Sequence, residues 1–297
     1  MIFDGGIDAH VHLWDPARGD DILILAKEPS LGPLGRAEEL RAHLRACGAT
    51  GAILVQSAPN SGHSDWLRAA AREIGAPLGV VGWIDPTGPD SEQRIADLIF
   101  DPNVCGVRLM LNRMPAPSIL RDRAMLDGLS QLAQAGLALE CLAPPGRLSQ
   151  VATLARALPE AQIVLDHCGL PPAPPADLTP WQRGLQDLAE LQNVSVKLSG
   201  LMEPFGPTAE PTQIYERATF CLNVFGPKRL MAASNHPCNA IAGGTMRWAD
   251  GLELVVNRAG LGAADRTALF SGTALRVFGR LGDIITKQGE TIGTFQR

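Results

Sequence analysis

Short, nearly continuous apolar runs alternate along this chain with stretches whose apolar positions return at helical spacing. The first run ends in Asp8-Ala9-His10-Val11-His12. The others are Gly51–Gln56, Leu78–Trp83, Val104–Met110, Leu137–Cys141, Gln162–His167, Val194–Ser199 and Arg229–Ser234. Helical periodicity covers Arg36–Cys47, Ser64–Ile74 and about 119–135, 147–157, 180–191 and 212–225; one more helix falls between the third and fourth runs, and two fill 246–278. Residues 17–35, rich in Gly, Pro and Asp, read as an irregular loop of functional length. Strands apolar on both faces and separated by helices indicate a parallel sheet covered on both sides. Eight such units favour an α/β fold closed into a (β/α)8 TIM barrel. The rival, an open doubly wound sheet, lacks its Gly-x-Gly-x-x-Gly turn after the first strand. No linker interrupts the pattern, since Pro171–Pro175 is a stiff loop, so residues 1–297 are expected to form one domain.

A barrel of this kind carries its chemistry at the carboxyl ends of the strands, so polar residues finishing the runs should converge. They are His10 and His12, Gln56, Asp85, Arg108, Glu140, His167, Lys197 and Ser199, and Asn235. Histidines at i and i+2 on a strand share a face and can lean on one ion or one substrate. Arg108 sits in an apolar strand and needs an anion, which a substrate carboxylate or an internal salt bridge would supply equally well. Asp85, before Pro86, reads as a turn former, and Lys197 as a snorkelling or carboxylate-paired residue. His43 and His63, placed within or at the start of helices, read as surface residues.

Composition narrows the partners. A formal net charge of −5 and the lack of a Lys/Arg run argue against nucleic acid and anionic membrane, leaving a small molecule. The first residues lack the signature of a secretory signal and no segment is apolar enough to span a bilayer, so a cytoplasmic protein is expected. The six cysteines are scattered without a Cys-x-x-Cys pair and read as reduced packing residues.

Seven segments in order carry a resemblance: I-D-A-H-V-H-L-W-D-P (7–16), I-L-V-Q-S-A (53–58), V-G-W-I-D-P (81–86), G-V-R-L (106–109), V-L-D-H-C-G-L-P (164–171), V-K-L-S-G-L (196–201) and R-L-M-A-A-S-N-H-P (229–237). Together they resemble the lactonase-like branch of the amidohydrolase superfamily. The resemblance implies a distorted (β/α)8 barrel and a hydrolase that opens a small organic-acid or sugar-acid lactone by water attack. His10, His12, His167 and position 235 would be the catalytic residues, with Arg108, Arg113, Gln56, Trp83 and His236 around the substrate. It also implies no cofactor or one divalent metal, zinc or manganese, at His10, His12 and His167. Arg108 and Arg113 point to a lactone bearing a carboxylate.

One position departs from the branch. Where its members carry an Asp that activates water or binds metal, this chain reads Ser234-Asn235-His236-Pro237. A neutral amide cannot accept the proton of the attacking water. Three readings stay open: an inactivated Asp-to-Asn form, an enzyme using another base such as His236 or a metal-bound hydroxide, and a ligand-binding barrel without chemistry. A decarboxylase or C–N hydrolase on the same barrel is the enzymatic alternative. Loss of the carboxylate predicts weak metal binding, and restoring it by Asn235→Asp predicts a roughly 10²–10⁴-fold rise in hydrolysis.

Overall fold

The computed structural model describes residues 2–114 and 122–287. Eight parallel strands pair in sequence order: β1 (Ile7–Val11), β2 (Gly51–Val55), β3 (Leu78–Gly82), β4 (Val104–Leu109), β5 (Ala138–Cys141), β6 (Ile163–Leu165), β7 (Val194–Leu198) and β8 (Leu230–Ala232). The seam between the ends is closed by Asn235 N–H donating to the His10 carbonyl at 3.0 Å and His12 N–H to that of His236 at 2.7 Å. The fold is a (β/α)8 barrel. Around it run α2 (Ala37–Cys47), α3 (Ser61–Glu73), α4 (Ser91–Phe100), α5 (Arg123–Gln134), α6 (Leu148–Ala157), α7 (Thr179–Ala189), α8 (Tyr215–Phe225) and α9 (Gly244–Arg258). The expected helix start at 119 falls outside the described residues.

The outer helices form where the sequence pattern places them. In α2, Leu40, His43, Leu44 and Cys47 are buried at the i, i+3, i+4, i+7 spacing that makes one helix face. Gly48, at φ 75°, ends the helix by donating its N–H to the Leu44 carbonyl. The region expected to be an irregular loop instead contains α1 (Leu23–Lys27) between two short 3-10 turns, Pro16–Arg18 and Pro29–Gly35. Its Pro and Gly residues favour such turns, and the indole N–H of buried Trp14 anchors the segment through the carbonyls of Leu31 and Gly32, both at 3.1 Å.

Inside the barrel one apolar layer joins Ile7, Ala9, Ile53, Val55, Val81 and Met231 to Val277 and Phe278, at the end of the helix Thr273–Val277 and just beyond it. Above that layer the lining turns polar, and two register shifts set its aim. Ala9 faces the interior layer and Val11 the outer one. Strict alternation would therefore send His10 outward with Asp8. A one-residue irregularity in β1 between Asp8 and Val11 re-phases the strand and turns His10 and His12 inward. A second irregularity, opposite Val80 and Val81, acts on β4: Cys105 faces in, Val107 out and Arg108 in again.

Among the described residues no helix is long and apolar enough to cross a membrane. All six cysteines are buried free thiols, and burial pushes Cys105, for example, up to about 12. They pack as the sequence indicates.

Candidate active site

At the carboxyl ends of the strands lies a cavity of about 330 Å³, lined by His12, Ser57, Arg108, His167, Glu203 and Asn235 and flanked by apolar side chains and Lys27 of α1. A larger cavity of about 610 Å³, between Ile2–Gly6 and α9, touches none of the strand-end polar residues, so the smaller one is the candidate site.

His10 lies directly beneath its floor, fully buried, with its Nε2 3.1 Å from the Nε2 of His12. The protonation pattern follows from what surrounds the pair. Val55 O, 2.8 Å from His12 Nδ1, can only accept, so Nδ1 holds the His12 proton and His12 Nε2 is a bare acceptor. The position between the two Nε2 atoms must then be filled from His10 or by a cation. With the proton on His10 Nε2, its Nδ1 accepts from the Lys197 ammonium at 3.2 Å, and the donors run in one direction from Lys197 through His10 and His12 to Val55. Burial keeps both imidazoles well below the usual histidine value, reinforced by Lys197 for His10 and by Arg108 for His12.

His167 arrives by a different device. Strand β6 ends at Leu165, two residues earlier than the apolar run suggests, and Asp166–Gly169 forms a tight turn with His167 and Cys168 at φ 51°. This backbone sets the imidazole against His10, ring centres 4.5 Å apart, with Nδ1 2.8 Å from Ser199 Oγ. Gly200, at φ 66°, makes room: a Cβ there would stand 2.6 Å from the Cβ of His167.

Below the histidines is a buried ionic cluster. Asp166 meets Arg108 Nε at 2.8 Å, and Glu140 pairs with Lys197. Burial pushes the Asp166 carboxyl up, but Arg108, His10 and Lys197 outweigh it and hold it well below the carboxylate range. Glu140 moves the other way, raised by burial and by the charge of Asp166. Arg108 therefore has an internal partner, and its Nη1 also donates to the Gln56 carbonyl at 2.8 Å.

The remaining expected residues divide. Asn235, at a φ of 61° that Asn tolerates better than most residues, donates Nδ2–H to Glu203 Oε1 at 2.7 Å, and its buried Oδ1 has no hydrogen-bond partner. Arg113 is held by Asp21 and, with Trp83, lines a neighbouring cavity of about 450 Å³ that shares Arg108. Gln56 and His236 line neither cavity. Gln56 follows inward-facing Val55, so the alternation brings Ser57 to the cavity instead. His236 stacks on His43, ring centres 4.2 Å apart. Asp85 forms the expected turn, accepting from Thr87 N–H at 3.0 Å.

His43 and His63 are buried, contrary to the expected surface placement. His43 Nε2 lies 2.8 Å from Asp8 Oδ2, so the outward-facing aspartate of β1 finds its partner on α2. Glu203 and Lys27 carried no sequence signal, because they sit on short helical turns in the connections after β7 and β1, whose path to the cavity depends on the whole barrel.

Burying neutral histidines makes the fold acid-sensitive. Burial lowers His167 to about 4 and His236 to about 3, the latter also repelled by His43. The unfolded chain takes up these protons near 6.5 while the folded chain resists, so their contribution is complete above 6.5 and is lost as pH falls toward 4 and 3. Unfolding free energies from urea titrations should drop steadily across that window, by about 1.4 kcal/mol per pH unit per unprotonated histidine at most. A stability constant from pH 7 to 4 would contradict this account.

Known proteins agree with this architecture. The chain matches the Amidohydrolase family over residues 7–280. It is 29% identical over 241 residues to L-fucono-1,5-lactonase of Burkholderia ambifaria, covering 80% of this chain and 82% of that protein. The L-fucono-1,5-lactonase of Burkholderia multivorans is 28% identical over 92% of this chain and 95% of its own length. An amidohydrolase from Burkholderia multivorans solved with bound HEPES superposes with a TM-score of 0.81 at 26% identity, covering 93% of this chain and 99% of that one. A second crystal form of that protein contains zinc and superposes with a TM-score of 0.79, at the same identity and coverage. With the match spanning all eight strands, the chain belongs to the Amidohydrolase family.

Proposed function

We propose that this protein hydrolyses a small lactone carrying a carboxylate. The observation that carries the reading is the pair of Nε2 atoms of His10 and His12, 3.1 Å apart under a cavity also lined by His167 and Arg108. The relatives named L-fucono-1,5-lactonase support the reaction class. Opening a lactone requires a nucleophile at the ring carbonyl, positive charge or donors for the developing oxyanion, and a proton for the departing alkoxide. His12, His167 and Arg108 surround the space where the carbonyl would lie.

The donor set also fits a divalent cation. His10 Nε2 and His12 Nε2 stand 3.1 Å apart, and ligand atoms of His10, His167 and the Asp166 carboxylate lie within 4.8 Å of one another; a cation would displace the proton between the first pair. Bound there, it would polarise the carbonyl as a Lewis acid. Asn235 adds no negative charge, which keeps the expected affinity low.

Among the described residues lining this cavity, Lys27 at the rim is the cation open to a substrate carboxylate, since Arg108 is paired with Asp166 and donates to the Gln56 carbonyl. Lys27→Met should raise KM for a carboxylated lactone roughly tenfold, the value of one charge-assisted hydrogen bond, and leave a neutral lactone unaffected. Arg113→Lys should change neither, because Arg113 is tied to Asp21 in the neighbouring cavity. A pH-indicator assay over a lactone panel tests the function itself. Ring opening releases a proton, decarboxylation would release carbon dioxide, and a binding barrel would do neither. The last outcome has its own support in Asn235, an amide where the family's branch has a base.

A further inference from the structure

Beside the histidine pair, a second constellation reaches the same cavity. Ser57, which lines it, has Oγ 3.1 Å from His63 Nε2, and His63 Nδ1 is 3.1 Å from Asp20 Oδ2. The three come from different places: the end of β2, the first turn of α3 and the loop after β1. His63 is fully buried, and Ser57 is 7% exposed, toward the cavity.

The tautomer of His63 is dictated by its neighbours. The backbone N–H of Ser57 points at His63 Nε2 at 3.3 Å and can only donate, so Nε2 carries the lone pair and Nδ1 the proton. Nδ1–H therefore donates to Asp20, and the only way for Ser57 Oγ to hydrogen-bond Nε2 is as donor. The hydroxyl proton already points at a base, and the base is oriented by a buried-edge carboxylate. Asp20 is itself fixed by Arg18 Nε at 2.9 Å and Asn60 Nδ2 at 3.3 Å. Asn60 in turn caps α3 by accepting from the His63 N–H at 2.7 Å, which locks the imidazole's backbone in place.

We propose that Ser57, His63 and Asp20 form a nucleophile, base and orienting carboxylate that give this cavity a covalent route to ester or lactone cleavage. In the first step Ser57 Oγ bonds to the carbonyl carbon and its proton passes to His63 Nε2. The ring C–O bond then breaks, and the alkoxide takes that proton, leaving a hydroxyacyl ester on Ser57. Water repeats the sequence: its proton goes to His63, its oxygen bonds to the acyl carbon, and Ser57 Oγ leaves and recovers the proton. This is the division of labour of serine hydrolases, recognised by geometry and role rather than by chain order. It also accounts for the amide at position 235, because the base resides at His63. The identity of the acyl donor rests on the lactonase reading; the reactivity of Ser57 does not.

The test uses diisopropyl fluorophosphate on the full chain, with mass spectrometry locating the adduct. Phosphorus bonds to Ser57 Oγ, fluoride leaves, and the hydroxyl proton is taken by His63 and released to solvent. Stoichiometric labelling of Ser57 is expected, abolished in Ser57→Ala and slowed roughly 10²-fold or more in His63→Gln, the usual worth of a positioned base. Asp20→Asn, at a site near the surface, provides the second variant and should slow labelling roughly tenfold or more. The labelling rate should fall as His63 becomes protonated, below the usual histidine range: burial lowers this imidazole, Asp20 pulls it back up and Arg18 opposes. Those two charges are the ones that face it, with the Trp66 ring alongside.

No adduct on Ser57, or labelling equally fast in His63→Gln and Asp20→Asn, would overturn the proposal; a brace that merely held the loop would give that result. Labelled Ser57 in a protein that opens no lactone would instead overturn the lactonase reading and leave this one standing. Lactone turnover without labelling would do the reverse.

Discussion

Asn235→Asp by itself is expected to yield little gain in hydrolysis at neutral pH, whereas Asn235→Asp combined with Glu203→Gln should raise it by roughly 10²–10⁴ in a Ser57→Ala background. The reason is the 2.7 Å contact between Asn235 Nδ2 and Glu203 Oε1. A carboxylate accepts this bond and the amide must donate it, which leaves the Asn235 carbonyl oxygen without a partner. Replacing the amide with Asp puts two carboxyls at hydrogen-bonding distance, where they share one proton because both cannot ionise together. Burial already raises Glu203, with only Asn235 and nearby backbone N–H groups holding it down. A second acid removes that donor. The new Asp would therefore be partly protonated and a poor base until the pH is raised. Glu203→Gln restores a neutral donor next to it. Asp also tolerates the left-handed backbone at this position, so the exchange should fold. Initial rates with a pH indicator, measured from pH 6 to 9, test this. A full gain in the single variant at pH 7 would show that Glu203 does not govern position 235. The Ser57→Ala background isolates direct water attack from any route through Ser57.

The barrel is legible in the sequence because it depends on local patterns: apolar runs, helical spacing and glycine caps such as Gly48. Its strand-end histidines are legible for the same reason, through their place at the ends of those runs. The aim of individual side chains is less so. Two register irregularities decide that His10, His12 and Arg108 point inward, and nothing in the period-two alternation marks where an extra residue will fall. One residue's difference in phase also separates Gln56, which has no hydrogen-bond partner for its amide, from Ser57, which faces the cavity. His43 and His63 look like surface residues when each helix is read alone. They are buried because Asp8 and Asp20, far off in sequence, supply their partners. Glu203 and Lys27 reach the cavity from short helical turns in the connections after β7 and β1, whose course only the closed barrel defines.

The largest stability effect is expected at Lys197. Lys197→Met should lower unfolding free energy by about 3–5 kcal/mol, the usual consequence of leaving buried charge uncompensated. The ammonium is fully buried, pairs with Glu140, lies 3.8 Å from Asp166 and donates to His10. Without it, two buried carboxyls are left with Arg108 as their cation. Arg108 lies closer to Asp166, at 2.8 Å, than to Glu140, at 3.9 Å. Glu140 is thus the group left stranded, and it should respond by taking up a proton, since burial and Asp166 already favour its neutral form. Glu140→Gln in the Lys197→Met background removes the stranded charge and should recover about 2 kcal/mol or more of the loss. Urea unfolding of the four proteins in this double-mutant cycle, at pH 7, measures the coupling directly. A cost below about 1 kcal/mol for Lys197→Met would mean that water enters the cluster and screens it. The same substitution removes the donor that holds His10 Nδ1 as an acceptor. The His10 proton can then move to Nδ1, toward Asp166 at 3.4 Å, leaving two bare Nε2 atoms facing each other. A divalent cation would relieve that repulsion, so zinc should raise the melting temperature of Lys197→Met more than that of the parent chain.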